Sequence, residues 1–189
     1  MPSESLKRWN GERIPALDEI EDAHASVGGS ERGRRYATQQ INYAYAAILS
    51  SQFQAFCRDL HSESIDYLVT VVPAGLQDAL RVEFLLSRTL DRGNPHPGGI
   101  GSDFNRLGVD FWQEVYALHA LNNRRRELIQ ELIDWRNAIA HQDFNPVGGD
   151  PTLHLGKVKS WRSAVNALAS FFDRVMGSYL GGLMGAPPW

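Results

Sequence analysis

The chain has a single cysteine, Cys57, which excludes a disulfide framework and any cysteine-based metal site. Cys57 lies in an apolar helical stretch, where a thiol reads as a small core hydrophobe. Long apolar runs are equally scarce, and none approaches the roughly 18 residues a membrane helix requires. The opening Met1-Pro2-Ser3-Glu4-Ser5-Leu6-Lys7-Arg8 is polar with no apolar segment behind it. Neither a membrane span nor a secretory leader is therefore expected, and a cytoplasmic location is. Positive charge is also in short supply: 19 basic against 22 acidic side chains give a formal net charge of −3. That excludes a protein that coats nucleic acid by charge alone, because such binding neutralises many phosphates. Any contact with nucleic acid must be local. His24, His61, His96, His119 and His154 are scattered, and no His/Asp/Glu set has metal-ligand spacing, so no metal or cofactor is expected. Asn94-Pro95-His96-Pro97-Gly98-Gly99 has glycines but not the Lys-Ser/Thr ending of a phosphate-binding P-loop.

What the 189 residues do contain is enough apolar material, 43% with 22% charged, to bury one core. Period-2 alternation is sparse and Gly/Pro/Asn clusters separate helical blocks, so the fold class is all-α. A polar tail runs to about residue 13, and a short helix over residues 16–26 ends at Gly28-Gly29. The block over residues 31–60 carries Ile41, Tyr45, Ile48, Leu49, Phe53, Phe56 and Leu60 at helical spacing and should form a wall of the core. Val69-Thr70-Val71-Val72 before Pro73 is where a strand competes, and helix is preferred. Residues 74–90 give another helix and residues 91–99 an irregular break. Helices follow over residues 102–107, 111–121, 123–142 and 157–180. The aromatics Tyr43, Tyr45, Phe53, Phe56, Trp112, Trp161, Phe171 and Phe172 fall in helical stripes as core residues. The expected organisation is an N-terminal extension (1–30), one bundle domain (31–182) and a tail (183–189).

The helix over residues 123–142 carries Asp134-Trp135-Arg136-Asn137-Ala138-Ile139-Ala140-His141. An arginine, an amide and an imidazole are the groups needed to hold and cleave a phosphodiester. At 100° per residue, Leu128, Leu132, Trp135 and Ile139 form the core stripe. Ile129, Ile133, Arg136 and Ala140 lie beside it, so Arg136 interrupts an apolar row. Gln130, Asp134, Asn137 and His141 form a third stripe, with Asn137 one turn from His141. Arg136 and His141 stand about 140° apart around the helix and do not converge unaided. A long guanidinium reaching round, a loosened helix end, or a second copy across a two-fold axis would unite them. Arg124-Arg125-Arg126 at the helix start is a candidate guide for an RNA backbone, with a solvated face as the plain alternative.

Arg136-Asn137-Ala138-Ile139-Ala140-His141, late in an all-α chain, resembles the Arg-x(4 to 6)-His motif of the HEPN superfamily. Phe53-Gln54-Ala55-Phe56-Cys57-Arg58-Asp59-Leu60 looks like an early bundle helix of its toxin and defence members. Arg92-Gly93-Asn94-Pro95 and Asp103-Phe104-Asn105-Arg106-Leu107-Gly108 look like their connecting segment. The likeness covers most of residues 36–180, and the first thirty or so lie outside it. It implies a HEPN-like helical bundle with additional short helices that pairs as a homodimer, bringing two motifs into one cleft. It also implies a metal-independent endoribonuclease, acting in a toxin-antitoxin or phage-defence setting and restrained by an antitoxin or regulatory protein. Arg136, Asn137 and His141 would be catalytic, Asp134 and Gln54 supporting, and Arg124, Arg125 and Arg126 RNA-binding. Gln54 stands where several relatives carry an acidic residue. His141 would move protons as base or acid, and Arg136 would hold phosphate oxygens. The alternative is a non-catalytic dimerisation or RNA-binding module; a plain structural adaptor would instead bury Arg136 in an ion pair with Asp134.

Overall fold

The computed structural model describes residues 1–28 and 36–189. The expectations concerning Gly29 and a boundary at residues 30 and 31 fall outside them. Among the described residues the fold is all-α: helices and turns, with no strand.

The expected polar tail is helical instead. Ser3 caps α1 (Glu4–Arg8), its hydroxyl accepting from the Leu6 N–H at 3.0 Å, and Glu4 and Lys7-Arg8 suit the two ends of the helix dipole. A π-helical turn over Trp9–Arg13 leads into α2 (Ile14–Gly28). The turn drives Trp9 into the core against Phe53 and Phe56, with ring centroids 6.1 and 5.6 Å away. One buried tryptophan outweighs the polar residues around it, a packing gain that polarity counting misses. The start of the chain also meets its end. The Met1 ammonium donates to the Trp189 carbonyl at 3.2 Å, and the Ser3 N–H to Asp173 Oδ1 at 3.0 Å.

The long α3 (Tyr36–Leu68) spans about 50 Å and packs on α2, on α7 (Asn122–His141) and on α8 (Leu155–Met184). Tyr45, Leu49, Phe53, Phe56 and Leu60 are fully buried, whereas Ile48 of the expected wall is 38% exposed. Helix continues to Leu68 and ends in a 3-10 turn, Val69–Val71, so the β-branched run is no strand. Pro73 forces Val72 into an extended conformation (φ −97°, ψ 156°). Then come α4 (Ala74–Leu85), a 3-10 turn at Thr89–Asp91, α5 (Pro97–Asn105) and α6 (Phe111–Leu118). The break over residues 91–99 is shorter than expected. Pro97 suits a first helical position and the His96 side chain accepts from the Gly98 N–H, so α5 starts within it. Phe53, Phe104, Phe111 and Phe172 form the aromatic centre, with centroid spacings of 4.3 Å for Phe104–Phe111 and 4.7 Å for Phe111–Phe172.

Candidate functional site

On α7 the buried apolar side chains are Ile129, Leu132, Ile133 and Ala138, with Trp135 and Ile139 packed against the core from its edge. The core stripe is thus centred between the first two predicted rows, and Arg136 lies half-buried where the Ile129–Ile133 row reaches the surface. Its Nη1 lies 3.4 Å from Asn137 Oδ1, and among the described residues no carboxylate pairs with it. Asn137 Oδ1 accepts a much shorter bond, 2.6 Å, from Asn94 Nδ2. Asn137 therefore does not turn toward His141 within the protomer.

Asn94 reaches the motif because its loop is fastened from below. Gln54 on α3 donates to the Leu90 carbonyl at 2.6 Å and also to the Gly93 carbonyl. Asp103 on α5 accepts from the Thr89 and Leu90 N–H groups at 2.9 and 2.8 Å. Arg88 forms a two-pronged ion pair with Asp91 and donates to the Arg58 carbonyl and the Ser62 hydroxyl. Beneath this network His61 is fully buried, its Nε2 3.0 Å from the Asp103 carbonyl and its ring edge-on to Phe104. Burial, the dominant influence, pushes the His61 pKa down to about 4. Gln54 thus supports the site by holding a backbone loop.

His141 is the last residue of α7 and is exposed. Gln142 follows in the left-handed region (φ 54°), and the Asp143 N–H returns to the Ala138 carbonyl at 3.1 Å, closing the helix end. The helix is intact through His141, so the loosened-end route to convergence is lost. Arg136 and His141 keep their separation of about 140° in one protomer. His141 has no side-chain hydrogen bond to a described residue. Asp134 accepts from Gln130 Nε2 at 2.8 Å rather than pairing with either cation, which removes the buried Arg136–Asp134 pair of the adaptor reading.

The three arginines at the other end of α7 diverge. Arg124 is ion-paired to Glu127 at 2.7 Å and Glu131 at 3.3 Å. Arg125 donates to Asn122 Oδ1 at 2.7 Å and lies over the Phe171 ring. Arg126 donates to the Tyr116 hydroxyl at 3.0 Å and lies over the Trp112 ring at 5.4 Å. They also sit about 15 to 25 Å along the axis from the motif. Each has a structural partner, so they form no continuous basic strip within the protomer. Cys57 is buried, which pushes its thiol pKa well up and makes it inert.

Sequence reasoning missed Asn94, Asp103, Arg88 and His61. Their roles depend on contacts across 13 to 43 positions of sequence, where helical periodicity carries no signal. Among the described residues no group of three or more His, Cys, Asp or Glu side chains is placed to hold a metal ion, and no helix is long and apolar enough to cross a membrane. No known protein family, curated protein or solved structure matches the chain.

Proposed function

We propose that this chain is a metal-independent endoribonuclease of HEPN type that works as a homodimer. One observation carries the reading: Arg136, half-buried and with no neutralising carboxylate among the described residues, beside Asn137 and five residues before an exposed His141 on the same helix. A half-buried arginine without an anion has an electrostatic need that a phosphate meets, through two N–H donors at once. The 140° separation leaves the histidine to come from a second α7 across a two-fold axis.

In such a cleft the RNA supplies its own nucleophile. One His141 takes the proton from the 2′-hydroxyl as its oxygen attacks the adjacent phosphorus. Arg136 holds the non-bridging oxygens as charge builds on them, and the 5′-oxygen leaves with a proton from the second His141. The products are a 2′,3′-cyclic phosphate and a 5′-hydroxyl. Asn137 is a positioning residue that keeps Arg136 at the surface through the bond from Asn94. The role of a toxin or defence effector restrained by an antitoxin rests on the resemblance of the motif.

The test is RNA cleavage in EDTA by wild type, Arg136→Ala and His141→Ala, with analysis of the product ends. Cleavage by wild type alone, leaving cyclic phosphate, is the expected result. A folded dimer that binds RNA and cleaves none identifies the non-catalytic module instead, and unchanged activity in both variants sinks the site.

A further inference from the structure

A groove of about 260 Å³ opens beside the polar face of α7, lined by His96, Pro97, Asn123, Arg126, Glu127 and Gln130. It lies on the motif's own stripe: Gln130 and Asn137 are two turns apart, about 10 Å along the axis. Its far wall continues the loop whose Asn94 is bonded to Asn137. We propose that this groove is the subsite for one RNA base flanking the scissile step rather than at it, and that it favours bases with an exocyclic amino group over uracil. This rests on the ribonuclease reading.

The walls are built to hold a flat ring. The Arg126 guanidinium is pinned over Trp112 at 5.4 Å and tied to the Tyr116 hydroxyl at 3.0 Å. Trp112 is itself fixed by its indole N–H bond to the Pro97 carbonyl at 2.8 Å. It can approach so closely only because position 101 is glycine: a Cβ there would lie 2.6 Å from the ring. The pinning has a cost, since Arg126 Nε is buried with no hydrogen-bond partner among the described residues, and stability alone gives no reason to keep such a donor. A guanidinium seated over a ring offers its other face as a stacking surface for a base. The His96 imidazole lines the same groove, and its Nδ1 accepts from the Gly98 N–H at 3.0 Å, leaving Nε2 outside that bond.

The edge contacts are rich in acceptors. Gln130 uses its Nε2 on Asp134, leaving Oε1 to accept, and Glu127 pairs with Arg124 through Oε2 only. Two such acceptors can bond both hydrogens of the amino group of adenine or cytosine, whereas uracil offers them only its single N3–H. A cavity of this size, below the range of about 300 to 1,000 Å³ for drug-sized ligands, suits a single base.

The test measures binding of rA8, rC8 and rU8 to full-length protein carrying His141→Ala, so that no RNA is cut. The same measurement is made with His96→Asn, which keeps the helix-capping acceptor, and with Arg126→Lys, which keeps the charge and loses the plane. Binding of rA8 and rC8 about tenfold tighter than rU8 is expected, with both added substitutions bringing all three within about twofold. Equal binding of the three RNAs by the His141→Ala protein overturns the proposal, as does discrimination that survives both substitutions. Cleavage by wild type with unaltered discrimination in the variants removes the subsite and leaves the ribonuclease. Discrimination lost in the variants of a protein that never cleaves keeps the subsite and removes the ribonuclease.

Discussion

The two ends of one six-residue motif are built in opposite ways. Arg136 and Asn137 sit above a bonded stack that descends through Asn94, the Leu90 and Gly93 carbonyls, Gln54, Asp103 and His61 into the core. His141, one and a half turns on, ends its helix in the open with no side-chain partner. The helix is continuous between them, so the contrast is not one of local order. On the proposed reading, the protomer completes the anion-holding half and leaves the proton-transfer half to a second copy, as a two-fold composite site would require.

The largest effect should come from removing either half. Arg136→Ala and His141→Ala should each lower cleavage by about 10²- to 10⁴-fold. Mixing the two inactive variants sharpens the comparison. A mixed dimer keeps one Arg136 and one His141, on different subunits, and has no second His141 to protonate the leaving 5′-oxygen; where water takes over that step, an equimolar co-expressed pool should regain up to about a quarter of wild-type activity. A pool as dead as its parents shows that the halves act within one subunit or that both pairs are needed.

The rigid half can be weakened through pH. His61 keeps its Nδ1 buried without a partner among the described residues, so a proton there would place an unpaired charge in the core. The unfolded chain takes up that proton near 6.5 and the folded protein near 4. Between those values the unfolded state binds more protons, so stability falls as pH drops through this window, by up to about 3 kcal/mol. Urea unfolding at pH 7 and 4.5 should show the loss in wild type and a flatter dependence in His61→Leu. Equal pH dependence in the two proteins would show that His61 is not the sensor.

A smaller change breaks the contrast at its hinge. Asn94→Ala removes the 2.6 Å bond to Asn137 and should slow cleavage by about tenfold while leaving global stability within about 1 kcal/mol. Asn94→Asp offers an acceptor but no donor to Asn137 Oδ1 and should not restore the rate. A rate equal to wild type in Asn94→Ala would mean that Asn137 needs no tether.

How legible this was follows from the range of each interaction. The all-α class, the buried Phe53, Phe56 and Phe172, and the 140° split between Arg136 and His141 follow from a 3.6-residue period, which is local. Trp9 was hidden because a π-turn shifts the phase of a short helix inside a polar stretch. Gln54 was singled out, but its bonds to two loop carbonyls were not foreseeable from its own helix. Asp134 and the three arginines were named for their charge. Charge says nothing of partner, and each found a neighbour on its own helix or against an adjacent ring.

That last point yields the smallest prediction. If Arg124 guided an RNA backbone, its removal would lower the dependence of binding on salt by about one counterion. The side chain is exposed, but it lies between Glu127 and Glu131, and the hydrogen bond to Glu127, with Glu131 beside it, raises its pKa. Glu131 is in turn held by Lys157 and by the Trp161 indole N–H at 3.4 Å. A phosphate would have to displace two carboxylates to reach Arg124, exchanging one screened surface pair for another. Arg124→Ala should therefore leave the salt slope unchanged and the cleavage rate within about twofold of wild type. A slope reduced by about one would return Arg124 to the RNA path and extend the binding face along the whole length of α7.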